Sequence, residues 1–292
     1  MENKDQPDRF SRFYVNRALR IMPLYYLVLF CFFIAIFFLV KEVHVHRFDY
    51  YIDSWASFVF FLQNWTLIIK GTPLEEHLVH FWSLAVEEQF YLFWPVVLYT
   101  FYQKKHLQPA LVVTVVLILI SRCLLYAINP NPMPILRYYH NTFLRMDAIL
   151  IGAYTYFLTK KQINNLWLFK TLPILSLAIL IVGLLTAENI KNHGAFFGTV
   201  GYTALAILYA FILYRIVIHP SSIMGRIFNN AFLRKTGKIS YGFYVIHWPV
   251  LVVLGGGAWA GLLSKVLCMV LSFALSLISF YSFEGYFLKR KK

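Results

Sequence analysis

The sequence predicts an all-α fold, a polytopic membrane helix bundle with about eight transmembrane helices and one re-entrant or interfacial helix. Hydrophobic residues make up 60% of the 292-residue chain and charged residues only 14%, where soluble domains carry about 25% charged residues. Uncharged apolar runs approach the roughly 20 residues that a spanning helix needs. Lysine and arginine gather between or beyond these runs, so the bilayer is the expected solvent.

The first apolar segments set the orientation of the chain. Residues 22–40 follow a basic segment, residues 1–21, and are therefore predicted to start on the cytoplasmic side. Residues 81–102 run into Lys104-Lys105 and are predicted to end on that side. The segment between these two spans then lies outside. Within it, residues 55–65 are too few to span and carry tryptophans suited to the interface, which predicts the re-entrant or interfacial helix.

The other six predicted spans follow by alternation, and each span that ends inside closes on a basic cluster. Both termini are therefore expected in the cytoplasm. One membrane domain, residues 22–288, lies between the cytoplasmic basic segment 1–21 and a basic cytoplasmic tail, residues 289–292. The six spans are residues 109–128, 143–159, 171–187, 195–214, 239–255 and 262–283.

The net charge of +14 raises the question of nucleic-acid binding. Because the cations flank apolar segments, we interpret them as membrane-surface residues, with membrane lipid and no nucleic acid as partner. The three cysteines, Cys31, Cys123 and Cys268, lie in apolar stretches without metal-ligand spacing. Neither a disulfide framework nor a metal site is expected.

Five ionisable residues fall in the outer half of the predicted membrane, where each costs about 2.5–3.5 kcal/mol at a helix centre. Two interpretations stay open: the charges pair to hold the helices together, or they line an outward-facing polar cavity. On the second span His80 and Glu87 share a helical face, whereas Glu88 lies about 100° further round. A His–Glu face at an aqueous boundary is suited to general acid–base chemistry. The five residues are Glu87, Glu88, Arg122, Arg145 and Asp147.

Three further positions have both a structural and a functional interpretation. His247 lies inside the seventh span and is either a hydrogen-bonded structural residue or a functional one. Glu284, at the inner end of the last span, is expected to reach the interface or pair with the basic tail. Arg17 and Arg20 are three residues apart on one helix, where they either anchor the helix or bind phosphate.

Four segments together resemble one family, the integral-membrane acyltransferases of family 3, which O-acylate cell-envelope and secreted glycans. The resemblance covers residues 10–289. The segments are RALRIMPLY at 17–25, HFWSLAVEEQFYLFWP at 80–95, RMDAILIG at 145–152 and GKISYGFYVIHWP at 237–249.

The resemblance implies an enzyme of the plasma (inner) membrane that moves an acyl group, expected to be acetyl, from cytoplasmic acyl-CoA to a sugar hydroxyl. Acyl-CoA is then a co-substrate, a glycan is the acceptor, and no cofactor is bound. Arg17 and Arg20 match the family's acyl-donor position. The resemblance makes six residues catalytic candidates: Ser83, Glu87, Glu88, Arg145, Asp147 and His247.

The chain also departs from the family. Its members have ten spans, and the first carries an Arg followed eleven positions later by a catalytic His; this sequence resembles the last eight spans. The family's Glu-Lys-Pro reads Glu284-Gly285-Tyr286 here. Three explanations stay open: a truncated or mis-started gene product, a natural remnant without activity, or a second polypeptide that supplies the two helices.

The departures predict little or no acyl transfer by the 292-residue chain alone. Two rival classes also stay open. A polytopic transporter or exporter would use the intramembrane charges along a substrate path, but the internal repeats common in transporters are not visible. A non-catalytic membrane remnant would need none of these side chains for acylation.

Overall fold

The computed structural model describes residues 8–39, 48–101, 106–128, 139–161, 167–186, 196–254 and 261–291. These residues form helices without any strand, which confirms the all-α prediction for the described ranges. The helices are α1 (Arg9–Leu39), α2 (Asp49–Asp53), α3 (Trp55–Val59), α4 (Gln63–Lys70), α5 (Trp82–Phe101), α6 (Leu107–Ile128), α7 (Thr142–Arg145), α8 (Asp147–Lys161), α9 (Trp167–Thr186), α10 (Tyr202–Ile218), α11 (Ile223–Phe228), α12 (Ala231–Leu254), α13 (Leu262–Ser279) and α14 (Gly285–Leu288). A 3₁₀ turn, Val79–Phe81, precedes α5, and π-helical turns occupy Phe197–Gly201 and Phe280–Glu284.

The protein is an integral multi-pass membrane protein. Within the described residues, five helical segments are long and apolar enough to cross a bilayer. The other three predicted spans are also helical, as α5, as α7 with α8, and as α9. Lys104-Lys105, on which the predicted orientation depends, lies outside the described residues. The five segments are Phe10–Phe38, Leu107–Ile128, Phe197–Ile218, Ala231–Leu254 and Leu262–Leu288.

The predicted re-entrant or interfacial stretch forms two short helices, α3 and α4, with a break between them. Phe61 adopts a left-handed conformation with φ of 55° at this break, which costs a non-glycine residue of order 1–3 kcal/mol. Packing offsets that cost, because the Phe61 ring stacks on Tyr25 at 4.4 Å. The Tyr25 hydroxyl in turn donates to the Phe58 carbonyl oxygen at 2.7 Å.

The chain forms two compact units. Unit 1 consists of residues 1–63, 72–84 and 231–292, and unit 2 of residues 64–71 and 85–230. In unit 1, α12 packs along α13, and α1 packs against α12 and α14. In unit 2, α10 packs on α8 and α9, while α6 packs on α8 around a buried core. That core comprises Phe90, Leu107, Leu111, Ile118 and Leu150.

Candidate functional site

Unit 1 contains a histidine cluster, which we define as His80, Ser83, Tyr244 and His247. The 3₁₀ turn before α5 carries His80, the first turn of α5 carries Ser83, and α12 carries the other two. The Tyr244 hydroxyl donates to the His80 carbonyl oxygen at 2.6 Å and contacts the Ser83 hydroxyl. The rings of His80 and His247 lie 5.5 Å apart between centroids. Two of the candidate residues, Ser83 and His247, are therefore brought together through Tyr244 and His80.

Backbone carbonyls fix the tautomer of each imidazole in this cluster. His80 Nε2 lies 3.3 Å from the Val245 carbonyl oxygen, so its N–H donates there. Its Nδ1 is buried and has no hydrogen-bond partner among the described residues. His247 Nδ1 lies 2.7 Å from the Tyr244 carbonyl oxygen, which assigns the N–H to Nδ1 and the lone pair to Nε2.

His80 is held neutral by its surroundings. Burial, with a smaller contribution from the neighbouring His247, lowers the pKa of His80 to about 3. The charged form is disfavoured because imidazolium loses its hydration there. The neutral imidazole keeps a lone pair on its buried Nδ1, which can accept a hydrogen bond.

One turn before Tyr244, α12 meets α1 close to the paired arginines. The Tyr241 hydroxyl donates to the Ile21 carbonyl oxygen on α1 at 2.5 Å. Arg20 is exposed and Arg17 is half-buried. Beneath them Glu284 is buried, accepts a hydrogen bond from the Ser279 hydroxyl at 2.9 Å, and interacts electrostatically with Arg20.

The position of Glu284 differs from the sequence expectation. Its side chain is buried and packs against Gly242 on the neighbouring helix. A Cβ atom at position 242 would lie 2.8 Å from Glu284 Oε1 and 3.6 Å from a Leu24 methyl group. A side chain at position 242 would therefore require the Glu284 carboxyl group to move, a close contact that the sequence did not reveal.

Unit 2 contains a buried ion pair between helices α6 and α8. An Arg122 guanidinium nitrogen lies 2.7 Å from Asp147 Oδ2, and both side chains are nearly inaccessible, at 5% and 1% exposure. The Thr203 hydroxyl of α10 donates to the same carboxylate oxygen at 2.6 Å and contacts Arg122. This arrangement corresponds to the interpretation in which intramembrane charges pair to hold helices together.

Arg145, two residues before Asp147, has different surroundings. Its guanidinium lies 4.5 Å from the ring centroids of both Tyr139 and Tyr202, so it sits between two aromatic faces. Such cation–π contacts contribute about 0.5–1 kcal/mol each when exposed and about 2 when desolvated. Arg145 and Asp147 are two positions apart in the sequence, but their side chains contact different partners in the structure.

An amide network in unit 2 joins the first turns of α4 and α7 to Gln89, two turns into α5. The Gln89 amide donates to Asn64 Oδ1 at 2.9 Å, and the Thr142 hydroxyl donates to Gln89 Oε1 at 2.5 Å. The Asn64 amide donates to the His140 carbonyl oxygen at 3.0 Å, and Trp65 donates to Gln89 at 3.2 Å. Sequence reasoning missed this network, although a glutamine beside two glutamates in an apolar helix was an available signal.

Helix α5 contributes to both units, because residues 82–84 belong to unit 1 and residues 85–101 to unit 2. Ser83 therefore lies in the first unit, with Arg17, Arg20 and His247. Glu87 and Glu88 follow on α5 in the second unit, where both are half-buried. No group of three or more potential metal-ligating side chains occurs within the described residues.

Comparison with known proteins gives one family and several curated relatives. The acyltransferase domain family (Acyl_transf_3) matches residues 5–281. The chain is 29% identical over 266 residues to "Peptidoglycan O-acetyltransferase OatA" of Listeria monocytogenes, which covers 86% of the chain and 41% of that protein. It is also 29% identical over 262 residues to "Putative peptidoglycan O-acetyltransferase YrhL" of Bacillus subtilis, covering 84% and 40%. The chain thus spans about 40% of the length of these relatives. No solved structure gives a significant match.

Proposed function

The chain belongs to the Acyl_transf_3 acyltransferase family, and on that premise we propose that it takes part in O-acylation of a cell-envelope glycan in the plasma membrane. The observation that carries the proposal is the family match over residues 5–281. Relatives named as peptidoglycan O-acetyltransferases support acetyl as the transferred group and peptidoglycan as the class of acceptor.

The proposed reaction exchanges a thioester for an oxygen ester. A sugar hydroxyl attacks the thioester carbonyl carbon of acetyl-CoA, the C–O bond forms, and the C–S bond breaks. The hydroxyl proton passes to a base and ends on the thiol of the released CoA. Two requirements follow: an anion site for the donor, and a proton acceptor beside the attacking hydroxyl.

The paired arginines supply the proposed donor site. Arg17 and Arg20 lie on neighbouring positions of one face of α1, and guanidinium groups bind phosphate oxygens in pairs of parallel hydrogen bonds. We place this end of unit 1 in the cytoplasm, where CoA is made, because basic residues flank spans on that side.

The catalytic roles are proposed for the residues that match the family motifs. Glu87 and Glu88 are the half-buried carboxylates of α5, and a carboxylate near a polar boundary can accept the hydroxyl proton. Ser83 and His247, in the histidine cluster, provide hydroxyl and imidazole groups for orienting the acceptor. Arg145 and Asp147 stabilise the helix packing of unit 2, because Arg145 is held by aromatic rings and Asp147 by Arg122.

The test is acetyl transfer from labelled acetyl-CoA to peptidoglycan in isolated membranes. One arm uses this chain alone, and the other uses the chain fused behind the two leading helices of a family member, because the resemblance assigns a catalytic histidine to those helices. We expect transfer in the second arm and its loss in Glu87→Gln, with Glu76→Gln, which also converts a carboxylate to a carboxamide but on an exposed residue outside the motif, as the matched control. Absence of transfer in both arms, with the protein folded in the membrane, would refute the proposed function.

A further inference from the structure

The basic tail at the end of the chain comes close to the paired arginines in unit 1. Helix α14 packs against α1, and the chain continues from α14 through one more turn, in which the Lys291 N–H donates to the Leu288 carbonyl oxygen at 3.4 Å. The turn holds Lys291 near the surface that carries Arg17 and Arg20. Lys291 is half-buried there.

Lys291 differs from the other described basic residues of the tail. Lys289 and Arg290 are exposed, and Arg290 lies over the Tyr286 ring at 4.2 Å from its centroid. Arg290 also donates a hydrogen bond to the Tyr286 hydroxyl. Lys291 is therefore the half-buried cation among the described residues of the tail, while Arg290 is held by Tyr286.

The electrostatics of Lys291 agree with this placement. Burial lowers the pKa of Lys291, and Arg20 and Arg17 lower it further. Like charges act on the ammonium group only when they lie close to it, because solvent and salt screen distant charges. A carboxylate is also present, since buried Glu284 interacts with Arg20.

We infer that Arg17, Arg20 and Lys291 form one phosphate-binding site, in which the ammonium group of Lys291 completes the set begun by the two guanidinium groups. The packing of α14 on α1 brings the three together from opposite ends of the chain. A bound phosphate anion relieves the repulsion among the cations. Two forked guanidinium groups with one mobile ammonium group suit a ligand that carries several phosphates.

This inference rests on the proposed function for its preferred ligand, the phosphate groups of CoA. The phosphate of an anionic lipid headgroup has the same chemistry and is available at a membrane surface. The two sources are separable by experiment, because acetyl-CoA carries its phosphates on a soluble nucleotide, whereas phosphatidylglycerol carries its phosphate in the bilayer.

The test measures equilibrium binding of labelled acetyl-CoA to the purified chain in nanodiscs of phosphatidylcholine. We expect Lys291→Gln to weaken binding about tenfold, as loss of one charge-assisted contact implies, and Lys291→Arg to retain it. Lys289→Gln is the matched control and leaves binding unchanged. Acetyl-pantetheine without phosphates is predicted to bind weakly to all of these proteins, with no difference between Lys291→Gln and the unchanged chain.

A second arm repeats the comparison as binding to vesicles with and without phosphatidylglycerol. If the chain does not bind acetyl-CoA but Lys291→Gln loses a preference for phosphatidylglycerol, the phosphate site stands with lipid as its ligand and the proposed donor is wrong. If Arg17→Gln and Arg20→Gln lose acetyl-CoA while Lys291→Gln behaves as Lys289→Gln, the donor proposal stands and the inference about Lys291 is overturned. Equal binding by all variants in both arms overturns it as well.

Discussion

Replacing Asp147 with asparagine while Arg122 remains leaves a guanidinium group buried beside a neutral partner. The separation of 2.7 Å between the charged atoms corresponds to an attraction of about 6 kcal/mol at an effective dielectric constant near 20. The cost of desolvating both groups offsets much of this attraction. Breaking one side of a buried pair is nevertheless expected to cost about 3–5 kcal/mol, because the other charge stays buried and uncompensated.

A double-mutant cycle tests this magnitude. Arg122→Met and Asp147→Asn are expected to destabilise the protein by about 3–5 kcal/mol each, and the double variant by much less than the sum. The assay is equilibrium unfolding in mixed detergent micelles, followed by tryptophan fluorescence. Additivity of the two single effects to within about 0.5 kcal/mol would mean that the two side chains are energetically independent, and the reasoning would be refuted.

A matched pair of threonine variants provides the control for the cycle. Thr203→Val removes the hydroxyl that donates to Asp147 at 2.6 Å, and intramembrane hydrogen bonds of this kind contribute about 0.6 and at most about 1.7 kcal/mol. Thr114→Val removes a hydroxyl that bonds only to its own helix on an exposed face, at the Ala110 carbonyl oxygen. Only the Thr203 variant should weaken the coupling between the charged residues.

Three further predictions use the same unfolding assay. Stability is expected to fall as the pH drops from 6.5 toward 3, because the unfolded chain binds a proton at His80 that the folded chain excludes; a similar pH dependence in His80→Asn would contradict this. Gly242→Ala should destabilise the protein by about 1–3 kcal/mol, because the added Cβ would meet Glu284. Gly237→Ala should be neutral or stabilising, because a Cβ there would have nothing within 4 Å. Equal changes in stability for the two variants would disprove the close packing at Gly242. Tyr241→Phe should cost about 0.5–1.5 kcal/mol, since it loses a 2.5 Å hydrogen bond to the backbone of α1; unchanged stability would show that this bond contributes nothing.

Much of the fold was predictable because hydrophobicity acts residue by residue. An uninterrupted apolar run predicts a helix in lipid whatever its neighbours are, since every backbone polar group must be satisfied within the segment. The break at Phe61 was not predictable in this way. It depends on stacking against Tyr25, 36 positions earlier, at 4.4 Å.

The candidate site was predictable in composition but not in pairing. The sequence identified Arg145 and Asp147 as unusual in a membrane, yet the structure gives one of them two aromatic neighbours and the other an arginine. Glu284 was expected near the interface and is buried against Gly242. In each case the partner lies on another helix, and its distance depends on how the helices pack.

The sequence alone therefore determined the class of fold, the apolar segments, the basic ends and the motifs that identify the family, because these properties belong to contiguous stretches of chain. The tertiary structure decided which polar groups meet: Asp147 with Arg122 and Thr203, at separations of 25 and 56 positions, and Tyr241 with Ile21 across 220. A charge buried in an apolar medium must find its partner within a few ångströms. That distance is a property of packed helices and is not encoded at any single position.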